Sequence, residues 1–434
     1  TSMRAYVGSI NCNTPVAKVW KRVKKFNNRP EGFTIPNLME AGRLLGDPQK
    51  VSDALAQAFA DVSSPLRYPL AFQRVYQASL ACPVNFFTAH QPNEPYNRLF
   101  SIHELRSALK SCRPTAPGED GITYDLLRNM HQSLQLYLLD IFNYVWVTGD
   151  FPSVWKEAIV LPFKKPGKEG TQPVHYRPIA LTCCPCKLFE KMVNNRLVWV
   201  LETDNLITSI QAGFRRKRTT TDQLIRIEAA IRKAFARRHH CVAVFFDIEK
   251  AYDTTWRDGI LQQLFDWGLR GHLPRFIQRF LSNRFFRVKV GDSFSQQVCQ
   301  EEGVPQGSVL SVTCFAIAIN SIASGLSPDI TTSLYVDDLA LLCSSPRLPS
   351  TLRKMQLAIN KVVANASSKG FKFSCQKTQA VHFYRNRRVD WDPCDLSIYG
   401  EPISFVQEAR FLGLIFDRSL SWKPHLASLR SEER

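Results

Sequence analysis

The 434-residue sequence has no apolar stretch approaching the length that crosses a bilayer, which excludes a membrane-spanning helix. No secretory signal is visible and the 12 cysteines are scattered, so a reducing compartment is expected rather than a disulfide framework. Zinc-finger spacing is missing as well: Cys183, Cys184 and Cys186 cluster without a second cysteine pair. There is no internal repeat and no low-complexity tract. Acid is scarce beside base, with 38 Asp and Glu against 56 Lys and Arg, a net charge of +18. That excess suits a polyanionic partner, nucleic acid first, and equally a basic soluble protein with a solvated surface; charge alone does not choose between them. A hydrophobic content of 44% still leaves material for two or three lobes with cores of their own. Neither the Thr-Ser-Met start nor the Ser-Glu-Glu-Arg end reads as a domain end, so a piece of a longer protein is expected.

What is present falls into recognisable segments. Residues 1–65 are basic and short of strand signals, and Val16, Val19, Trp20, Val23 and Phe26 have helical spacing. Ser101 and Glu104 make a capping-box pattern at the start of a helix, and PTAPGEDGI breaks the chain after it. Helical periodicity resumes from Leu126 and ends at Gly149; WKEAIVLPFKKPG then reads as a strand running into a basic turn. A long helix follows HYRPIAL, and 211–240 is strongly basic before a buried strand over 241–246. Helices are expected at 256–268, 273–281, 308–326 and 349–369, with a hairpin at 333–343, a strand pair within 370–384 and strands at the end. This alternation suits an α+β core, an antiparallel sheet with helices packed on one face.

Two features draw the chemistry together. SLYVDDLALLC places Asp337 and Asp338 at a turn between two apolar runs. Asp247 ends the buried strand 241–246, where a charge needs a partner. Bringing Asp247 beside the Asp337–Asp338 turn would press three carboxylates together, and they repel unless a cation neutralises them. Oxygen ligands of this kind favour magnesium or manganese. Two such ions about 4 Å apart are a recurrent clamp for phosphoryl displacement.

FFDIEKAYDTT, EEGVPQGSVLS, LYVDD and GFKFSCQKTQ occur in the order of motifs A, B, C and D of reverse transcriptases. ARFLGLIFD resembles the primer grip, and HYRPIAL with KLFEKMVNNRL a fingers motif. With PTAPGEDGIT and QAGFRRKRTTTDQL added, the chain resembles the reverse transcriptases of non-LTR, LINE-type retrotransposons of the Jockey kind, over about 100–420. The resemblance implies a right-hand polymerase fold whose antiparallel palm sheet packs on helices, with the thumb largely missing. It divides the chain into a basic linker after an absent endonuclease (1–65), a connector (66–100), an N-terminal extension with fingers (101–240), palm with some fingers residues (241–400) and truncated primer-grip strands (401–434).

Roles follow by position. The resemblance makes Asp247 and Asp337 the main ligands of two Mg2+ or Mn2+ ions, gives Asp338 a supporting share, and brings the Ile248 carbonyl within reach of a metal. Tyr252 matches the aromatic gate against a ribose 2′-hydroxyl. Gly303, Gln306 and Gly307 match the motif B loop beside the incoming nucleotide. Val312 stands where a proline is usual, which would loosen the start of the following helix. Arg177, with Lys164 and Lys165, matches the surface that grips the triphosphate. Lys377 matches the motif D lysine, a general acid for the leaving pyrophosphate. Arg215, Arg216 and Arg218, with Lys217 where the family often has glycine, would contact nucleic-acid phosphates. Phe411, Leu412 and Gly413 would form the primer-grip turn.

The implied activity is RNA-directed DNA polymerisation on an RNA template with a DNA primer or target and dNTPs, no membrane being involved. Synthesis in the cytoplasm and action in the nucleus go with it. A viral RNA polymerase would carry a small or polar residue at the gate, and Tyr252 speaks against it. An inactive remnant that only binds nucleic acid is the alternative; the intact acidic triad speaks against it and the lack of a thumb for it. Weak processivity is expected of the isolated chain.

Overall fold

A computed structural model describes residues 37–40, 43–86, 94–385 and 395–432. The helical pattern at 15–26 lies outside them. Strands β1 (Leu38–Glu40) and β2 (Arg43–Leu45) pair as a hairpin. Helix α1 (Pro48–Val62) starts where Asp47 accepts a bond from the Gln49 amide and Pro48 takes the first helical position. Helix α2 (Leu70–Ala81) buries Phe72 and Tyr76, with Trp256 packed against Phe72 at 5.1 Å. Helix α3 (Ile102–Ser111) carries the expected Ser101–Glu104 capping box. The next helical stretch is split into α4 (Tyr124–Arg128) and α5 (Gln132–Thr148), because the His131 side chain caps the Ser133 amide and starts a second helix. Gly149 ends α5 in the left-handed conformation, φ +73°.

From here the chain builds two sheets. Strands β3 (Glu157–Lys164) and β4 (Tyr176–Leu181) precede α6 (Cys184–Thr203) and α7 (Thr220–Ala236). Strand β5 (His240–Phe246) is followed by α8 (Arg257–Asp266) and α9 (His272–Leu281). Strands β6 (Arg284–Val290), β7 (Ser293–Phe294) and β8 (Val298–Gln300) lead to α10 (Val309–Ala318). Then come β9 (Ile330–Tyr335), β10 (Asp338–Ser345), α11 (Leu348–Ser367) and β11 (Gln379–Phe383). Short strands β12 (Ser397–Ile398), β13 (Glu401–Pro402) and β14 (Ser404–Phe405), the hairpin β15 (Glu408–Phe411) and β16 (Leu414–Asp417), and α12 (Lys423–Glu432) complete the described chain.

The first sheet has the order β14-β11-β5-β10-β9, antiparallel apart from β14 on β11. Helices on one face only were expected; the sheet is covered on both. Val242, Val244, Leu339 and Leu341 face the large core with Met355, Ile359 and Val362 of α11. Ala243, Phe245, Ala340 and Leu342 face Ile227 and Ile231 of α7 and the β15–β16 hairpin, through Phe411 and Phe416. Two buried faces explain why β5 reads as a continuous apolar run rather than an alternating one. The expected strand pair within 370–384 is a single strand, β11. Its would-be partner makes only an isolated bridge, Phe373 to Ile248.

The second sheet runs β4-β3-β6-β7, with β8 also on β6 and β3 parallel to β6. Residues 284–300 therefore leave the neighbourhood of the first sheet to join 157–181. Helix α1 lies on this sheet, Val51, Leu55 and Ala56 sharing a core with Val160, Tyr176, Phe286 and Val288. Its residues fall in the segment read as linker, yet they are built into the fold.

Candidate active site

The β9–β10 hairpin sets the acids. Tyr335 pairs with Asp338, leaving Val336 and Asp337 as the turn, and Val336 has φ +59°. Across the sheet, Leu339 pairs with Phe246. One residue further out, Asp338 and Asp247 stand opposite each other at the ends of their strands. Partial burial raises the Asp337 carboxyl above the ordinary range, and the charge of Asp247 adds to this. Asp338 is open to solvent, but the protein around it, then the charges of Asp337 and Asp247, bring it to about 6. Lys377 Nζ lies 3.2 Å from Asp247 Oδ2, an exposed ion pair. Among the described residues no three His, Cys, Asp or Glu side chains close tightly enough to cage one ion. The donor set at this turn is nonetheless all carboxylate oxygen under mutual repulsion, which fits a hard divalent cation.

Ile248 follows Asp247. The Asp247 carbonyl accepts from the Ser374 amide at 2.8 Å and the Glu249 amide donates to Lys372 at 2.9 Å. Those bonds make Ile248 and Phe373 a non-hydrogen-bonded pair, so the Ile248 carbonyl points away from Phe373. Tyr252 stacks on Phe315 of α10, 4.7 Å apart at 14°. Its phenol is pushed up to about 12 by burial and by Asp337, which puts it in electrostatic reach of the acids.

The loop from β8 to α10 closes against Tyr252 and β4. Gly303 has φ +78°, and a Cβ there would stand 2.4 Å from the Asp253 carbonyl oxygen. Gly307 has φ +118°, and its Cβ would meet the Ala180 oxygen at 2.7 Å. Between them, Gln306 accepts the Ala180 amide on its main chain at 2.9 Å and donates its side-chain Nε2 to Asp253 Oδ1 at 2.7 Å. Helix α10 begins at Val309, ahead of Val312, and buried Glu190 accepts its first amides, with Val309 N at 2.9 Å. A carboxylate thus holds the helix start, upstream of the position where proline is usual.

Cations gather beside this loop. Burial lowers the Lys165 ammonium, and the charges of Lys377, Arg177 and Lys250 lower it further while Asp253 opposes them. Lys165 also donates to the Val174 carbonyl at 2.8 Å. Arg177 is exposed on β4. Lys164 is exposed at the end of β3, and it is Lys165 that the charges of Lys377, Arg177 and Lys250 reach. Asp253 was not singled out from the sequence. Burial raises its carboxyl, with Gln306, Lys250 and Lys165 opposing.

Residues 163–416 match the family model described as reverse transcriptase (RNA-dependent DNA polymerase). The chain belongs to the reverse transcriptase family. Its similar curated relatives include the probable RNA-directed DNA polymerase from transposon BS of Drosophila melanogaster, 27% identical over 94% of this chain and 45% of that protein. Another is the polymerase of the mobile element jockey of Drosophila funebris, 29% identical over 87% of this chain and 40% of that one. A third is the probable polymerase of the X-element transposon of Drosophila melanogaster, at 27% over 74% and 35%. The chain spans less than half the length of each. Among solved structures it is similar to an apo telomerase from Candida tropicalis truncated from its C-terminal domain, with a TM-score of 0.42, 12% identity, and 65% of this chain and 59% of that one covered.

Two expectations for nucleic-acid contacts need correction. Arg215 turns inward: its guanidinium holds both oxygens of Glu202, at 2.7 and 2.6 Å, and donates to the Thr208 carbonyl at 2.8 Å. Reaching a phosphate would break that set. Arg216 and Lys217 are exposed, whereas Arg218 donates to the Ser209 carbonyl. Phe411 is buried against Phe245 at 5.3 Å, so its side chain anchors the β15–β16 hairpin from beneath instead of facing outward. Leu412 and Gly413, with φ +48° and +85°, form the two-residue turn itself. One residue beside the acids was given no role in the sequence beyond its place in QAGFRRKRTTTDQL: Gln211, fully buried under the Val336 turn.

Proposed function

We propose that the chain is the polymerising part of a non-LTR retrotransposon reverse transcriptase, adding dNTPs to a DNA primer 3′-hydroxyl on an RNA template. The reading is carried by the pairing that sets Asp247 opposite Asp338 with Asp337 at the adjoining turn. Asp247 and Asp337 would hold two divalent ions, Mg2+ or Mn2+, with Asp338 supporting and the Ile248 carbonyl available on the free side of its strand. Bound there, such ions lower the pKa of the attacking hydroxyl and offset charge on the leaving pyrophosphate. Arg177 and Lys165 hold the triphosphate. Tyr252, stiffened by Phe315, fills the space of a 2′-hydroxyl. Gln306, fixed by Asp253, lies against the nascent base pair. Lys377 leaves Asp247 when the site fills and donates its proton to the pyrophosphate. Arg216 and Lys217 meet backbone phosphates, and the Leu412–Gly413 turn meets the primer. Synthesis in the cytoplasm and action on nuclear DNA follow from this reading.

Primer extension on an RNA template with dNTPs and Mg2+ or Mn2+ tests it, with the Asp337→Ala, Asp338→Ala double variant as control. Metal-dependent extension that the double variant loses is expected. No extension by the parent chain under either metal would sink the proposal for this chain and leave a protein that only binds nucleic acid.

A further inference from the structure

The residue before Asp337 is in an awkward conformation. Val336 is β-branched, and its φ of +59° lies in the left-handed region that such side chains avoid. A strained residue persists only where its surroundings over-determine it. Here they do so through residues 211–213, more than a hundred positions earlier in sequence. Strand β9 is the edge of the first sheet. Gln211 lies along that edge, bridged in parallel to Leu334, and the Ala212 amide donates to the Leu334 carbonyl at 2.9 Å.

The Gln211 side chain then does what another strand would do. Its Oε1 accepts the Val336 amide at 2.9 Å, and its Nε2 donates to the Val336 carbonyl at 3.1 Å. The same Oε1 accepts the Gly213 amide at 2.9 Å, which fixes the amide's orientation. Gln211 is 0% exposed, so these bonds have no competing water. Gly213 closes the arrangement: a Cβ there would fall 2.4 Å from Val336 Cγ2 and 2.6 Å from Val336 N. Both polar groups of the strained residue are thus held from one side chain, and the peptide so gripped is the one that leads into Asp337.

We infer that Gln211 is a positioning residue of the polymerase site: it clamps Val336 in its left-handed conformation and thereby aims Asp337 at the place where Asp247 and a divalent cation meet. The inference rests on the proposed role of the carboxylates. A residue that only closed a sheet edge would give a different pattern from one that sets a ligand's direction. Losing it would lower stability and leave the metal dependence alone.

The test uses the full chain carrying Gln211→Met, which keeps length and burial and removes all three bonds. Mn2+ binding is followed by electron paramagnetic resonance of free Mn2+, with the Asp337→Ala, Asp338→Ala variant as blank. Gln211→Met should weaken Mn2+ binding about tenfold, as loss of a ligand's support does. Val336→Asn, whose side chain tolerates positive φ, should recover part of the loss when combined with Gln211→Met. Unchanged Mn2+ binding in Gln211→Met, or no recovery in the double variant, would overturn the inference. Should Gln211→Met fail to fold, Gln211→Asn keeps a neutral amide but is one methylene too short to span both Val336 groups, and the same weakening is expected. Amide hydrogen exchange reads the clamp without metal: fast exchange at Val336 in Gln211→Met supports it, and unchanged protection refutes it. A parent chain that binds Mn2+ through the acids yet extends no primer would sink the polymerase reading alone. One that binds no Mn2+ would sink the ion site and the inference with it, since there would be no ion for Gln211 to aim Asp337 at.

Discussion

On one side of the site, Asp337 and Asp338 stand on a turn whose every neighbour is fixed by main-chain pairing, by Gln211 and by the close approach of Gly213. On the other side, Lys165, Arg177 and Lys250 reach the same space on side chains that are exposed or half-buried. Like charges repel within each group, and Lys377 with Asp247 forms the ion pair that joins the cations to the acids. The acids are placed by backbone and cannot retreat; the cations are long and can. This difference suits a ligand that brings its own positive and negative charge. Ions would meet rigid oxygens, where misplacement of about 1 Å is costly, and phosphates would meet adaptable donors.

The sharpest way to break the contrast is to crowd each side. Gly213→Ala forces a methyl into Val336 and should cost about 3 kcal/mol of stability, the upper end for an overpacked core. It should also abolish extension, as a melting curve and a primer assay on the same preparation would show. Arg177→Ala on the adaptable side should leave the melting point within the small range of surface substitutions. Its effect should be confined to substrate, a KM for dNTP raised about tenfold, which is about 1.4 kcal/mol. A melting point lowered as far as that of Gly213→Ala would show that the cation side is as rigidly built as the acid side.

How much of this could be read in the sequence differs between the two sides for a physical reason. Asp247 and the Asp337–Asp338 turn were legible because strand ends and a hairpin announce themselves in apolar runs, and antiparallel pairing then brings the acids together. The capping box at Ser101 was legible for the same local reason. What depended on distant partners was not. Arg215 and Arg216 are neighbours in one basic run, and only the presence of Glu202 beside the former turns it inward. Phe411 looks like a primer contact until the face of β5 it covers is known. Helix α1 carries a core-forming stripe in a segment whose basic composition suggested a linker. Gln211 opens the segment QAGFRRKRTTTDQL, yet nothing local marks its role; its bonds run to residue 336, and its burial comes from a sheet edge assembled elsewhere.

The smallest expected effect concerns the acids themselves. In the folded chain Asp338 holds its proton up to about pH 6, against an ordinary value of 3.8. Between those values the folded state binds more protons than the unfolded one, so stability falls as pH rises through the window and stays lowered above it. Asp338→Asn cannot ionise and escapes this loss. The variant should melt about 1–2 °C above the parent at pH 8, a modest gain because an exposed carboxylate is screened, and the two curves should converge below about pH 4. Added Mg2+ sharpens the comparison. It should raise the parent at pH 8 towards the variant, since a cation among the three carboxylates relieves the repulsion that the substitution removes, and it should raise the variant less. Equal shifts with Mg2+ in both proteins would mean that Asp338 takes no share in the ion site, leaving Asp247 and Asp337 to hold it alone.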